Sequence, residues 1–311
     1  MFQYSVVATT YNDEKNIIGY LESICNQSLK PSEIVIADGG SKDNTVKLIY
    51  EYSQKVDVNI IVCTGKRLNI AEGYNEAIKN SNYEWIGISG IGNSYDKDYF
   101  NKLSVSTKDY DIIYSPIRGL KDTKFSEVYI NTFLDGEKGN DIGMPSNHGA
   151  LIKKDIFIKE GFFYENFIYA GEDAEFYKLL KEKEYPMKIV YDAMAYWHVP
   201  RTFKEFRKQI ENYTIGDLQI LSNEQIHNSF IKKMICIVFG VIITILLISV
   251  AKMYSFIIFG VFVVVFCLLL LTMQQVKSFT LKLYRKFAPV FIIIHYHKYL
   301  NDSYKVKRKS V

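Results

Sequence analysis

Three short stretches carry residue types and spacings that chemistry would need. The first is IVIADGGSKDNT, Ile34 to Thr45: an apolar strand ending in Asp38, a Gly-rich turn, then the start of a helix. A carboxylate there can accept a hydrogen bond from a base or ribose at a sheet edge. It can equally cap its own turn through Gly39, Gly40 and Ser41. Asp43 and Asn44 read as the N-cap of the helix that follows. The second stretch is the paired acid Glu172-Asp173, which opens a helical run after Gly171. The helix dipole favours negative charge at that point, and a carboxylate so placed is either a capping acid or a general base for a hydroxyl. The segment before it, SNHGALIKKDIFIKEGFFYENFIYAGED, is rich in aromatics, as an acceptor pocket would be. The third stretch is Trp197-His198-Val199-Pro200-Arg201. Arg201 can hold a diphosphate with its guanidinium fork. His198 can bind a metal, steady a leaving phosphate, or be a satisfied histidine of the fold. A contrast comes at Trp85 to Ser89, where a nucleotide-binding α/β domain would next place paired aspartates. That strand runs instead into Gly90-Ile91-Gly92-Asn93.

These residues need a frame that gathers strand ends. Tyr4 to Thr10 reads as a strand, Asn12-Asp13-Glu14 as a helix start, and Ile17, Ile18, Leu21, Ile24 and Cys25 as one helical face. Glu33 to Asp38, Asn59 to Cys63 and Trp85 to Ser89 read as further strands. Helices lie between them, marked by Val46, Leu48, Ile49 and Tyr52 and by the run Ile70 to Asn80. This alternation predicts a mostly parallel sheet covered on both faces, with ligands at the carboxyl ends of its strands. Thr9, Thr10, Asp38 and the Gly90–Asn93 loop would meet at that edge. Further on, Asp111 to Ser115, His148 to Lys153 and Lys188 to Tyr191 are expected strands, and Ala174 to Lys183 an expected helix. Lys121 to Asn147 is polar and reads as a loop over the site. Arg201 to Asp217 is an amphipathic helix with Phe203, Phe206, Ile210 and Tyr213 at helical spacing.

The chain has 311 residues, a formal net charge of +4 and 48% hydrophobic residues. That charge is too weak to argue for nucleic acid, and none is expected as a partner. Cys25, Cys63, Cys236 and Cys267 show neither metal-ligand nor redox spacing, and all four read as small buried hydrophobes in a reducing compartment. Met1 leads directly into the first strand with no secretory pattern, so the N-terminal part is expected in the cytoplasm. Met234 to Ala251 and Tyr254 to Met273 are uncharged and close to the roughly 20 residues needed to cross a bilayer. They are expected to form a transmembrane hairpin turning at Lys252-Met253. Lys232 and Lys233 before it, and Lys277, Lys282, Arg285, Lys286 and the Lys-rich C-terminus after it, place both ends in the cytoplasm. Residues 287–300 read as an interfacial segment.

VVATTYNDEKNIIGYLESICNQSLKPSEIVIADGGSKDNT is similar to the opening of family 2 glycosyltransferases with the GT-A fold. The likeness continues through the helix holding Asn75 and through GEDAEF. It is most specific at HVPRTFKEFRKQIENYTIGD, which resembles the Pro-Arg…Gln…Tyr-x-x-Gly helix of the succinoglycan-biosynthesis-type branch, whose members also end in membrane helices. The resemblance implies an α/β GT-A domain (Rossmann-like) over residues 1–225 and a membrane region over residues 226–311. It implies donor contacts at Thr9, Tyr11, Asp38, Arg67 and Asn75, and Asp173 with Glu172 at the catalytic position. His148, His198, Arg201 and Gln209 would lie on the acceptor or diphosphate side. The expected protein is a multi-pass, membrane-anchored enzyme of hexosyltransferase type on the cytoplasmic face. It would move a sugar, with inversion, from a nucleotide-sugar donor to a lipid-linked or growing polysaccharide acceptor. Two departures stand out. Gly90-Ile91-Gly92 replaces the family's metal-holding Asp-x-Asp, and Gly39 replaces the second Asp of its Asp-Asp-Gly-Ser turn. A Mg²⁺ or Mn²⁺ site is therefore expected to be weakened or absent, with Asn93, Asp96 and His198 as the remaining candidate ligands. A scaffold that has lost catalysis is the alternative.

Overall fold

Buried apolar runs order the first half of the chain. In the computed structural model, which describes residues 2–134, 144–221, 223–253 and 274–295, β1 (Tyr4–Thr10), β2 (Glu33–Asp38), β3 (Asn59–Cys63) and β4 (Trp85–Ile88) alternate with helices α1 (Ile17–Cys25), α2 (Thr45–Ser53) and α3 (Ile70–Lys79). Successive side chains on a strand point to opposite faces. Val6, Ala8, Ile34 and Ile36 accordingly pack into one core layer with Ile17, Leu21 and Ile24 of α1. Val7, Val35 and Ala37 pack into the other with Ala71, Tyr74 and Ile78 of α3. The parallel register sets Thr9 beside Ala37 and Thr10 beside Asp38, so the chemistry-bearing ends of β1 and β2 finish level.

The second half departs from the simple alternation. After β5 (Asn93–Tyr95), α4 (Tyr99–Ser104), β6 (Ile112–Tyr114) and β7 (Ile117–Gly119), the expected loop over residues 121–147 contains a helix, α5 (Lys124–Phe133). A reciprocal capping box starts it: the Thr123 hydroxyl accepts from the Ser126 N–H, and the Ser126 hydroxyl accepts from the Thr123 N–H. Residues 135–143 lie outside the described part. Then come β8 (Ala150–Lys153), α6 (Lys154–Glu160), α7 (Glu172–Glu182), β9 (Met187–Ile189), β10 (Ala195–Trp197) and α8 (Phe203–Ile220). The main sheet has the order β3-β2-β1-β4-β8-β6-β9. β8 alone runs antiparallel, to both β4 and β6, so the sheet is mixed but mostly parallel as expected, with its other strands sharing one direction. A small second sheet, β5-β10-β7, sets Trp197 beside both Asn93 and Gly119.

Two long helices follow. α9 (Asn223–Met253) contains the first expected span, and its stretch Asn228–Leu246 is long and apolar enough to cross a membrane. The second expected span, residues 254–273, lies outside the described part. α10 (Gln274–His295) is one continuous helix, so the apolar stretch from residue 287 is its end and not a separate segment; residues 296–300 are not described. One face of α10 (Leu281, Tyr284, Ala288 and Ile292) packs on Tyr129 and Ile130 of α5 and on Phe206 and Ile210 of α8. Cys25 is buried as expected, but Cys63 is half-buried and Cys236 is exposed on α9, where no described neighbour covers it.

The amino end of the sheet is tied by one buried carboxylate. Glu33, 2% exposed, accepts from the Ser5 hydroxyl at 2.7 Å, the Asn82 N–H at 2.6 Å and the Asn82 side-chain amide at 2.8 Å. Stranding buried donors costs about 1–3 kcal/mol each. Glu33→Ala is therefore expected to destabilise the protein by at least about 2 kcal/mol in denaturant unfolding, with Glu33→Gln losing less because it keeps one acceptor.

Candidate active site

A cavity of about 720 Å³ opens between the start of α7, the Ser146–His148 turn before β8, and the facing sides of α8 and α10. Its acidic wall exists because α7 begins abruptly. Gly171 takes a φ of 116°, a left-handed value that a side chain would resist, and turns the chain so that Glu172 and Asp173 form the first helical turn. α8 holds this turn in place. A Cβ on Gly216 would collide with the Ala170 carbonyl, so only glycine lets the helix lie against that backbone. This gives the Tyr213-Thr214-Ile215-Gly216 motif a physical reason.

Asn147 joins the parts of the wall. Its backbone N–H donates to Asp173 Oδ2 at 3.3 Å, its side-chain N–H donates to Glu172 Oε1 at 3.4 Å, and its Oδ1 accepts from the Tyr177 hydroxyl at 3.0 Å. Asp173 Oδ1 also accepts from the Ala174 N–H at 2.7 Å. Glu172 is only 6% exposed. Burial, reinforced by the neighbouring Asp173 charge, pushes its carboxyl up to about 8. At neutral pH Glu172 therefore holds its proton.

The place of the expected metal ligands is filled differently. Asn93, 5% exposed, projects its amide beside Gly90, where a Cβ would come within 2.8 Å of Asn93 Nδ2. The same Nδ2 donates to the His148 carbonyl at 3.3 Å, which leaves Asn93 Oδ1 facing His148 Nδ1 at 3.2 Å. His148 lines the cavity with its ring against Trp197, and burial lowers its basicity despite the nearby Asp173. Among the described residues no group of three or more His, Cys, Asp or Glu could hold a metal ion. Asn93 has spent its oxygen on His148, and Gly90 and Gly92 offer no donor. This set does not fit a divalent cation.

His198 and Arg201 stand elsewhere. Asp122 Oδ2 lies 2.8 Å from His198 Nδ1, 2.9 Å from Arg201 Nε and 2.7 Å from Arg201 Nη2. Partial burial raises the Asp122 carboxyl, but the hydrogen bonds and charges of His198 and Arg201 outweigh it and hold the group below the usual range. Neither His198 nor Arg201 lines the cavity. Gln209 accepts from the Tyr129 hydroxyl at 3.1 Å and donates to the Tyr213 hydroxyl at 3.4 Å, so it reaches the cavity only through Tyr213.

The residues expected on the donor side, Asn75 apart, form a separate group at the ends of β1 and β2. Asp38 accepts from the Gly40 and Ser41 N–H groups, so the turn-capping role is realised. Thr9 donates to the Ala37 carbonyl, and Tyr11 is exposed next to it. Arg67 is exposed in a loop that crosses this edge; a Cβ on Gly39 would meet the loop's Leu68 carbonyl at 2.9 Å, leaving no room for a second aspartate. Asn75 does not join them. It is 1% exposed, and its amide binds the Phe163 backbone in both directions and Glu165, clamping the segment that leads to α7. Sequence reasoning missed Asn147, Asp122 and Arg285. Only Asn147 left a signal, as an amide between the Gly-containing loop and a strand.

Two outcomes follow from this geometry. Glu172 binds a proton in the folded state up to about pH 8 but releases it near pH 4.5 when unfolded. Its contribution is complete below about pH 4.5 and is lost progressively as pH rises towards 8, so Glu172→Gln should flatten the decline of stability over that range in denaturant titrations. Gly216→Ala should push α8 off the Ala170 carbonyl and destabilise the protein by about 1–3 kcal/mol in denaturant unfolding.

Residues 5–161 match the profile described as Glycosyl transferase family 2. A curated relative from Methanococcus voltae, dolichyl N-acetyl-alpha-D-glucosaminyl phosphate 3-beta-D-2,3-diacetamido-2,3-dideoxy-beta-D-glucuronosyltransferase, is 30% identical over 189 residues, 58% of this chain and 54% of the relative. Poly-beta-1,6-N-acetyl-D-glucosamine synthase of Staphylococcus aureus (strain COL) is 23% identical over 270 residues, 78% of this chain and 62% of that protein. The chain thus spans only 54% and 62% of the lengths of these two relatives. Among solved structures, the mannosyltransferase PcManGT from Pyrobaculum calidifontis in complex with GDP-Man and Mn2+ superimposes with a TM-score of 0.53 at 16% identity, covering 70% of this chain and 62% of that one. This last likeness is one of fold.

Proposed function

The chain belongs to glycosyl transferase family 2, and on that premise we propose that it is a membrane-anchored, inverting glycosyltransferase. It moves a sugar from a nucleotide-sugar donor to a lipid-linked or growing polysaccharide acceptor at the cytoplasmic face. The observation that carries this reading is the placement of Asp173. It lies in the cavity wall on the first turn of α7, and its two oxygens accept one backbone N–H each, which leaves lone pairs for an acceptor hydroxyl. In the proposed reaction Asp173 takes the hydroxyl proton. The acceptor oxygen attacks the anomeric carbon from the side opposite the diphosphate, the bond to that diphosphate breaks, and the nucleoside diphosphate leaves. Protonated Glu172 does not add a second negative charge beside Asp173, so the acceptor does not meet two repelling carboxylates there.

Membrane anchoring rests on α9 and α10. Ile235, Val238, Phe239, Ile242 and Leu246 of α9 and Phe279, Leu283 and Phe291 of α10 are exposed. Lys232 and Lys233 lead into α9, and Lys277, Lys282 and Lys286 lie on α10, the pattern of a cytoplasmic flank. The name of the Methanococcus relative carries a dolichyl-phosphate-linked acceptor, which agrees with a lipid-linked substrate here. A scaffold without catalysis is favoured by one observation, the occupation of the Asp-x-Asp position by Gly90 and Gly92 with the Asn93 amide between β4 and β8.

Transfer assays on the detergent-purified full chain, with UDP-GlcNAc and GDP-Man as donors, decide between the two. Asp173→Asn should lower transfer about 10²–10⁴-fold while donor binding persists. Near-normal transfer by that variant would remove the base assignment, and donor binding without turnover in any buffer, with or without Mn²⁺, would favour the scaffold. Orientation is checked separately in whole cells. A cysteine replacing Lys252 should react with an impermeant maleimide, whereas one replacing Ser310 should not.

A further inference from the structure

Arg285 of α10 is the one Arg or Lys among the described residues that line the cavity. The lining also carries three acidic side chains, Glu172, Asp173 and Asp217. A lone cation on such a wall would ordinarily be drawn into an ion pair. Arg285 instead sets its guanidinium carbon over the Phe133 ring, 4.9 Å from the centroid, and makes no ion pair with a described carboxylate. A cation–π contact of this kind steadies the guanidinium without using up its N–H groups, and no described residue accepts from them. A guanidinium in the cavity lining with no described carboxylate partner suits an anion with two or more oxygens at phosphate geometry.

Its position also separates two phosphate sources. The donor-side group, Thr9, Asp38 and Arg67, lies at the ends of β1 and β2, outside the cavity lining. Arg285 lies across the cavity, where α10 faces Tyr213, Thr214 and Asp217 of α8, and one turn before Pro289, which also lines the cavity. The same helix carries exposed Phe279, Leu283 and Phe291 on its other sides. A phosphate held there belongs to a molecule with its apolar part towards α9 and α10 and its reacting hydroxyl towards Asp173. We propose that Arg285 binds the phosphate or diphosphate of a lipid-linked acceptor, so that the helix after the membrane stretch completes the acceptor site. This rests on the glycosyltransferase reading and names the acceptor's chemistry within it.

Binding is measured on the full chain in detergent, with no turnover required. Farnesyl diphosphate serves as the lipid-phosphate probe and uridine diphosphate as the nucleotide probe. Arg285→Ala should weaken farnesyl diphosphate at least about tenfold and change uridine diphosphate less than about twofold. Arg285→Lys should restore affinity only in part, because a point charge cannot reproduce the fork. Unchanged binding of farnesyl diphosphate in Arg285→Ala, or no binding of it by the unsubstituted protein, overturns the proposal. Loss confined to uridine diphosphate, or equal loss of both probes at an unchanged Tm, overturns it as well. If Tm falls in Arg285→Ala, the same comparison is made with Arg285→Gln, which keeps the length and the stem packing. An intact probe response in a protein that transfers no sugar would fail the glycosyltransferase reading and leave the phosphate site standing.

Discussion

Asn147 spends its backbone N–H and both ends of its side-chain amide on three residues of α7, and the acidic wall exists in its observed form through those bonds. The turn before β8 and the start of α7 are distant in sequence, and α7 contributes two carboxylates at adjacent positions. Without a shared donor, such carboxylates would repel, turn outward or take up protons differently. A polar network in a low-dielectric wall is worth having only when its members are satisfied, and this one nearly is. The arrangement divides the labour between the acids. Glu172 is buried and keeps its proton at neutral pH, while Asp173 is half-buried at the cavity surface and is served by backbone N–H groups alone.

The glycines at the altered positions have tertiary reasons. At Gly39 the loop carrying Arg67 and Leu68 crosses so near that a Cβ would meet a carbonyl. At Gly90 the Asn93 amide already fills the space beside the chain while it braces His148. Changing Gly90 to an acid would therefore displace a buried amide that holds the cavity floor. Gly92 is different, since nothing lies within 4 Å of where its Cβ would be. Where metal-holding carboxylates were expected, the Asn93 amide and the His148 ring form a local hydrogen-bonded structure.

Charge is distributed in a way that joins the C-terminal helices to the α/β part of the chain. Arg201, a fork donor suited to phosphate, is consumed by Asp122 together with His198 outside the cavity, and this cluster instead ties the loop before α5 to the start of α8. The cation that does line the cavity comes from α10, which packs on α5 and α8 through Leu281, Tyr284 and Ala288. A helix that sequence alone assigns to the membrane region is thus part of the wall around the acid pair.

Local patterns determined the first half of the fold. Buried runs such as Tyr4–Thr10 and Glu33–Asp38, separated by helical spacing, admit little besides parallel strands with intervening helices, and their ends bring Thr10 level with Asp38. The acid pair at a helix start was legible for the same reason, because Gly171 and the two carboxylates are neighbours in sequence. The reversal of β8 was not legible, since a short apolar strand reads alike in either direction. Nor was α5, whose capping box depends on Ser126 reaching back to Thr123 where polarity suggests a loop. Tertiary structure alone decided the fates of the long-range polar groups: Asn75 as a clamp on Phe163, Asn93 against His148, Arg201 held by Asp122, and Arg285 at the cavity. A polar side chain takes its partner from whatever the fold brings close to it, and for these residues that partner lies 55 or more positions away.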